Sequence, residues 1–165
     1  MHLTKETCRT ILDMYVARIE QNLNITDEML DSTEYVANCV LTTIDKKMQP
    51  RIIDRFEHDK TINEIANENH APYQSVSNTI LSYAYRVGNN VRARFETPDS
   101  IDAVFPEMPV RLNHTLWRNQ ICTVEQISQL TEDTLVKLHG ITKNGVLYNQ
   151  AKKYIEKAKA RKEKI

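Results

Sequence analysis

Apolar residues recur every three or four positions along most of this chain, and that period restricts its fold more than any other feature. From residue 5 to residue 23, Cys8, Ile11, Leu12, Tyr15, Val16, Ile19 and Leu23 fall on one helical face, with Thr4 placed as the cap. From Asp27 to Lys47 a second stripe collects Met29, Leu30, Val36, Ala37, Val40, Leu41 and Ile44, with Met48 just beyond, and Thr26 precedes it as cap. Two such helices joined by a short connection form an antiparallel hairpin. With only three glycines and five prolines in 165 residues, the chain lacks the turn residues that an all-β fold requires. The expected class is all-α.

The same reading continues along the chain. Pro50 suits the first turn of a helix over 49–57, where its missing N–H costs nothing, with Ile52, Ile53 and Phe56 turned inward. Thr61 and Glu64 have capping-box spacing and open a short helix that buries Ile65 and Ala66. After the break at 69–72, a longer helix over 73–87 places Val76, Ile80, Tyr83, Ala84 and Val87 on one side; Val91 extends the stripe, and Gly88-Asn89-Asn90 is where it is expected to fray or end. Three of the five prolines lie in 96–109, so that stretch is expected to be a linker between a helical domain at 1–95 and a second domain at 110–165. In the second domain, turn and capping signals such as Thr123, Thr131 and Asn144-Gly145 start short helices at 111–119, 123–129, 131–138 and 144–162.

Charge is balanced overall but not along the chain: residues 1–45 carry net −5, residues 46–95 net +3 and residues 96–165 net +2. Phosphate neutralisation supplies most non-specific DNA affinity, so DNA binding would require the basic groups to gather on one face. Cys8, Cys39 and Cys122 are odd in number and set in apolar helical patterns, which reads as buried reduced thiols. No apolar run is long enough to span a bilayer and the start lacks the apolar core of a signal peptide, so the expected location is cytoplasmic. The five histidines never pair with each other or with a cysteine at metal-ligand spacing, and no phosphate-binding glycine motif or nucleophile signature is present. No enzyme, metal site or cofactor is expected.

Residues 61–87 have the outline of a helix-turn-helix, which sets its second helix into the major groove. With Val76 and Ile80 facing the core, Tyr73, Gln74, Ser75, Ser77 and Asn78 crowd the first turns of that helix as candidate base contacts, since Gln and Asn read adenine bidentately. Lys47, Arg51 and Arg55, four residues apart, form a basic stripe suited to phosphates. The plainer alternative is the polar outside of a helical bundle. The run from Pro50 to Phe56, Thr61 to Ala66 and Val76 to Asn78 resembles region four of bacterial sigma factors, over about residues 46–94. That resemblance implies promoter recognition.

Gly140 and Gly145 bracket a loop just before the last helix, a geometry that aims backbone N–H groups at an anion; a plain tight turn is the alternative. The stretch from Val110 through Leu116, Ile121 to Ile127, Leu130 to Leu135 and Gly140 to Gly145 resembles the C-terminal domain of the bacterial RNA polymerase alpha subunit, a small helix-hairpin-helix domain. The resemblance implies that Arg111 enters the minor groove of DNA with His114 beside it, and that Thr142, Lys143, Asn144 and Gly145 clamp a phosphate. His114 stands where the family usually has asparagine, Thr142 at its loop glycine, Asn144 at its loop lysine and Gly145 at the serine that follows. Trp117 is left between core packing and a partner surface, and the lysine-rich end between phosphate contact and a solvated helix end. The function expected is a non-enzymatic, DNA-binding bacterial transcription factor or polymerase-associated regulator acting on double-stranded DNA. Its alternative is a docking module that binds RNA polymerase subunits or transcription activators without reading DNA. A homodimer is kept open for either.

Overall fold

The computed structural model describes residues 1–164. Among the described residues the chain is all-helical: α1 (Lys5–Ile19), α2 (Asp27–Leu41), α3 (Gln49–Phe56), α4 (Ile62–Glu68), α5 (Tyr73–Glu96), α6 (Ile101–Val104), α7 (Val110–Arg118), α8 (Val124–Ser128), α9 (Glu132–Leu135) and α10 (Val146–Glu163). None of these helices is long and apolar enough to cross a membrane.

The starts of the helices follow the polar signals in the sequence. Thr4 and Thr26 accept hydrogen bonds from the Thr7 and Met29 amides, satisfying donors that the first turn leaves free. Thr61 and Glu64 form the expected reciprocal capping box at α4, and Thr123 with Gln126 forms another at α8. α1 ends at Glu20, whose left-handed φ of 52° breaks the helix earlier than periodicity alone requires.

Two hydrophobic clusters organise these elements. The first packs Ile11, Leu12, Met29, Leu30, Val36, Ile52, Phe56, Ile65, Val76, Ile80, Tyr83 and Val87, drawing on α1 to α5. The Tyr83 hydroxyl donates to the Ala37 carbonyl at 2.7 Å, which satisfies the one polar atom that ring brings into the core, and burial pushes the phenol far above its ordinary pKa. The second cluster packs Ile101, Phe105, Met108, Leu112, Leu116, Ile127, Leu135, Leu147, Tyr148 and Ile155.

Three sequence expectations are corrected. α5 does not end at Gly88 but continues to Glu96. Gly88 is instead a close-packing position: a Cβ there would lie 2.2 Å from Cγ of Tyr15, so the absent side chain lets α1 and α5 approach. The 96–109 stretch is no free linker either. Its prolines separate α5, α6 and α7, yet Ile101 and Met108 are fully buried in the second cluster and Phe105 packs edge-on against Tyr154 at 5.2 Å. Finally, Cys122 is not helical. It lies in an extended segment whose carbonyl accepts from the Ile101 amide at 2.9 Å, beside an isolated bridge between Ser100 and Thr123. All three cysteines are free thiols, but only Cys8 is fully buried.

The two units are joined by polar contacts as well as by the chain. Arg86 of α5 donates from Nη1 to the Thr43 hydroxyl and from Nη2 to the Met108 carbonyl, 2.5 Å away in the second unit. Asp102 of α6 accepts from Asn113 Nδ2 at 2.6 Å and from Asn89 Nδ2 at 3.3 Å, so one carboxylate ties α5, α6 and α7 together.

Candidate nucleic-acid interface

The hairpin loop before α10 is held by paired bonds. Asn119, the residue after α7, donates from Nδ2 to the His139 carbonyl at 3.0 Å and accepts the His139 amide on Oδ1 at 2.9 Å. Gly140 then takes a φ of +88°, which a side chain would strain, and the Gly145 amide closes the loop on the Thr142 carbonyl at 2.9 Å. Thr142, Lys143 and Asn144 are exposed at its tip. Gly145 is the N-cap of α10 and supplies no side-chain cap, so the first α10 amides have no side-chain acceptor at the positive end of an 18-residue helix.

α7 completes the site. Arg111 and His114 are exposed, and with Val110, Thr115, Arg118, His139, Gly140 and Leu147 they line one groove of about 440 Å³. The groove thus gathers two guanidinium and two imidazole groups with no carboxylate in its lining. Arg118 and His139 were missed at the level of sequence. Arg118 was within reach, because it lies seven residues after Arg111 and hence on the same helical face. His139 was not, because only the Asn119 clasp brings it to the groove. Trp117, 41 % exposed, faces outward.

On the first unit, Tyr73, Gln74 and Asn78 are exposed and Ser75 and Ser77 are half-buried, all on the opening turns of α5. Gln74 Nε2 donates to Asn78 Oδ1 at 2.8 Å, so the two amides form one exposed pair. The expected basic stripe is not continuous. Lys47 is exposed in the turn before α3, Arg51 points its Nη1 to the Ser75 hydroxyl at 3.3 Å, and Arg55 pairs with Asp59 at 3.5 Å. Arg51 therefore braces the start of α5 rather than standing free.

The middle of α5, beyond its opening turns, approaches α7. Thr79, Ser82, Arg86, Asn89 and Asn90 of α5 share a crevice with Val110, Asn113 and His114 of α7. Val110 and His114 line both this crevice and the hairpin groove, so the middle of α5 and the cationic groove lie on either side of the start of α7. Among the described residues no cluster of three or more His, Cys, Asp or Glu side chains is arranged to hold a metal. Comparison with protein-family models, with curated proteins and with solved structures yields no match for this chain.

Proposed function

We propose that this chain is a non-enzymatic DNA-binding regulator of transcription whose second unit grips the DNA backbone and minor groove while the first turns of α5 read bases. The observation that carries this reading is the convergence of Arg111, Arg118, His114 and His139 on one groove, whose lining takes Gly140 and Leu147 but not Thr142, Lys143, Asn144 or Gly145 from the neighbouring loop and α10. Arginine is favoured wherever phosphate must be met by a planar fork of donors, and a narrow A·T-rich minor groove has the negative potential to draw it in. A helix start with free amides is a natural phosphate seat. The resemblance of 110–155 to the polymerase alpha C-terminal domain supports the same assignment for Arg111 and the 142–145 loop, and that of 46–94 to sigma region four supports a helix-turn-helix at α4 and α5.

The polymerase-docking reading draws on a different observation. From Tyr73 to Tyr85 the chain carries no charged residue, and Tyr73, Leu81 and Tyr85 are exposed there, as is Trp117 on the second unit. Exposed aromatic side chains on a run without charged residues suit a protein partner such as an RNA polymerase subunit or activator.

Titration of the full chain with A·T-rich and G·C-rich duplexes, at low and moderate salt, separates the two. The full chain is required because a fragment starting after Ile101 removes a fully buried core residue. Groove binding predicts preference for the A·T-rich duplex, lost in Arg111→Ala, and a salt slope that falls by about 1 for each phosphate contact removed. Absence of duplex binding at low salt, with polymerase co-purifying, selects the docking reading.

A further inference from the structure

The crevice between the units encloses about 450 Å³, within the range of clefts that hold small organic molecules. Ile44, Met48, Tyr83, Tyr85, Phe105 and Val110 give it apolar walls. Two polar groups border it with hydrogen-bonding capacity left over. Asn90 is 4 % exposed, and its carboxamide takes part in no hydrogen bond among the described residues. Arg86 spends one donor on Thr43 and one on the Met108 carbonyl, and no carboxylate forms an ion pair with it. A guanidinium has five N–H donors, so several remain, and burial works against its charge while Asp102 supports it.

The charges around the crevice favour an anion. Arg18 stands at its edge, 4.7 Å over the Tyr85 ring, and His114 borders it. Asp102 is the lone acidic residue of the lining, and its two oxygens are already taken by Asn113 and Asn89. Water can satisfy the spare N–H donors of Arg86, but it supplies no countercharge for a guanidinium held out of bulk solvent.

We propose that this crevice is a binding site for a small planar organic anion of the aromatic carboxylate class. The carboxylate meets the spare donors of Arg86 and the Asn90 amide, and the ring lies against the aromatic wall. A carboxylate on guanidinium forms paired, charge-assisted bonds that neither a neutral amide nor an amine reproduces. The inference stands on the crevice alone and does not depend on DNA binding.

The test is titration of the full chain with naphthoate, followed by backbone amide NMR, with uncharged naphthamide as the comparison. Naphthoate should shift the amides of Tyr85, Asn90 and Asn113 saturably, and naphthamide should bind at least about tenfold more weakly. Arg86 bridges the units, so it is left intact. Asn90→Ala should weaken naphthoate about fivefold or more, by loss of one hydrogen bond. Ser82→Trp, at an exposed position on the crevice wall, should abolish binding while leaving the circular dichroism spectrum unchanged. The proposal is overturned by shifts confined to residues 139–148, which would seat the anion in the hairpin groove. Equal affinity for acid and amide, undiminished binding to a folded Ser82→Trp, or no saturable shift at all would overturn it as well.

Discussion

The two units solve the problem of presenting a polar surface in opposite ways. The first rests on long helices packed against the 24-residue α5, and from Tyr73 to Tyr85 that helix carries no charge. The second sets short helices, two of them started by reciprocal threonine boxes, against the 18-residue α10, and places two arginines in a groove without a carboxylate. An uncharged face has little long-range attraction for DNA but can discriminate at contact; a cationic groove attracts any duplex and discriminates poorly. One chain holding both can separate affinity from selectivity. It does so only if the units keep a fixed relation, which makes Arg86 and Asp102 as important as the surfaces.

The largest expected effect contrasts two glycines. Gly88→Ala should destabilise the first unit by about 3 kcal/mol or more, because its Cβ would overlap the Tyr15 ring and force α1 away from α5. Gly140→Ala in the second unit has room, with Thr115 Cγ2 at 3.6 Å, and pays only for the positive φ, about 1–2 kcal/mol. Denaturant midpoints of the two variants measure both. A Gly88→Ala chain as stable as wild type would mean that the α1–α5 approach is slack.

Next in size is Arg86→Ala, at about 2 kcal/mol, from leaving the Met108 carbonyl without its donor. The sharper readout is cooperativity. Trp117 is the single tryptophan and lies in the second unit, so its fluorescence follows that unit while circular dichroism follows both. The two curves should coincide in the wild-type chain and separate in Arg86→Ala. Coincidence in both proteins would assign the coupling to the α5–α6 packing alone.

Smaller again are the caps. Thr61→Ala and Thr123→Ala each remove the hydroxyl half of a box, leaving Glu64 or Gln126 on the backbone N–H, and should cost about 1 kcal/mol. Thr123 also sits in the bridge to Ser100. That bridge is built from backbone groups, the Ile101 amide on the Cys122 carbonyl and the Val124 amide on the Asp99 carbonyl, and survives the substitution, so the two losses should match in chemical denaturation; a larger loss at Thr123 would show that its side chain does more than cap.

How much of this could be read in the sequence depended on the range of the interactions involved. α1 to α4 were legible because their stripes and caps are local signals, and Thr61 with Glu64 formed the expected box, but α2 ends at Leu41 rather than running to Lys47, because the 42–48 turns close with their own backbone bonds. The continuation of α5 through Gly88 was not, since a glycine in a helix looks like a stop unless one knows that Tyr15 lies opposite. The 96–109 segment was misread because its prolines are conspicuous, although Ile101, Phe105 and Met108 already follow a spacing of four and three. The loop tip and Arg111 were legible as candidates. His139 and the crevice were not, because both arise where elements far apart in sequence meet, and nothing in the neighbours of Arg86 marks it as a bridge.

The smallest effect on stability is expected where the effect on recognition is greatest among these variants. Gln74 and Asn78 are exposed and bonded to one another four residues apart, a pair worth under about 0.5 kcal/mol to the helix. Replacing both with alanine should leave the unfolding midpoint almost unmoved. If α5 reads bases, the pair must open so that each amide can meet an adenine edge, and losing such a contact relaxes discrimination by about 1–3 kcal/mol per base. Arg118→Ala should behave oppositely, lowering affinity for every duplex and reducing the salt slope while sequence preference stays as it was. Competition between a selected duplex and random DNA, repeated at two salt concentrations, measures both quantities in one series. Were the double alanine variant to lose affinity equally on selected and random duplexes, α5 would be a contact surface without reading function. The uncharged run from Tyr73 to Tyr85 would then be better assigned to a protein partner.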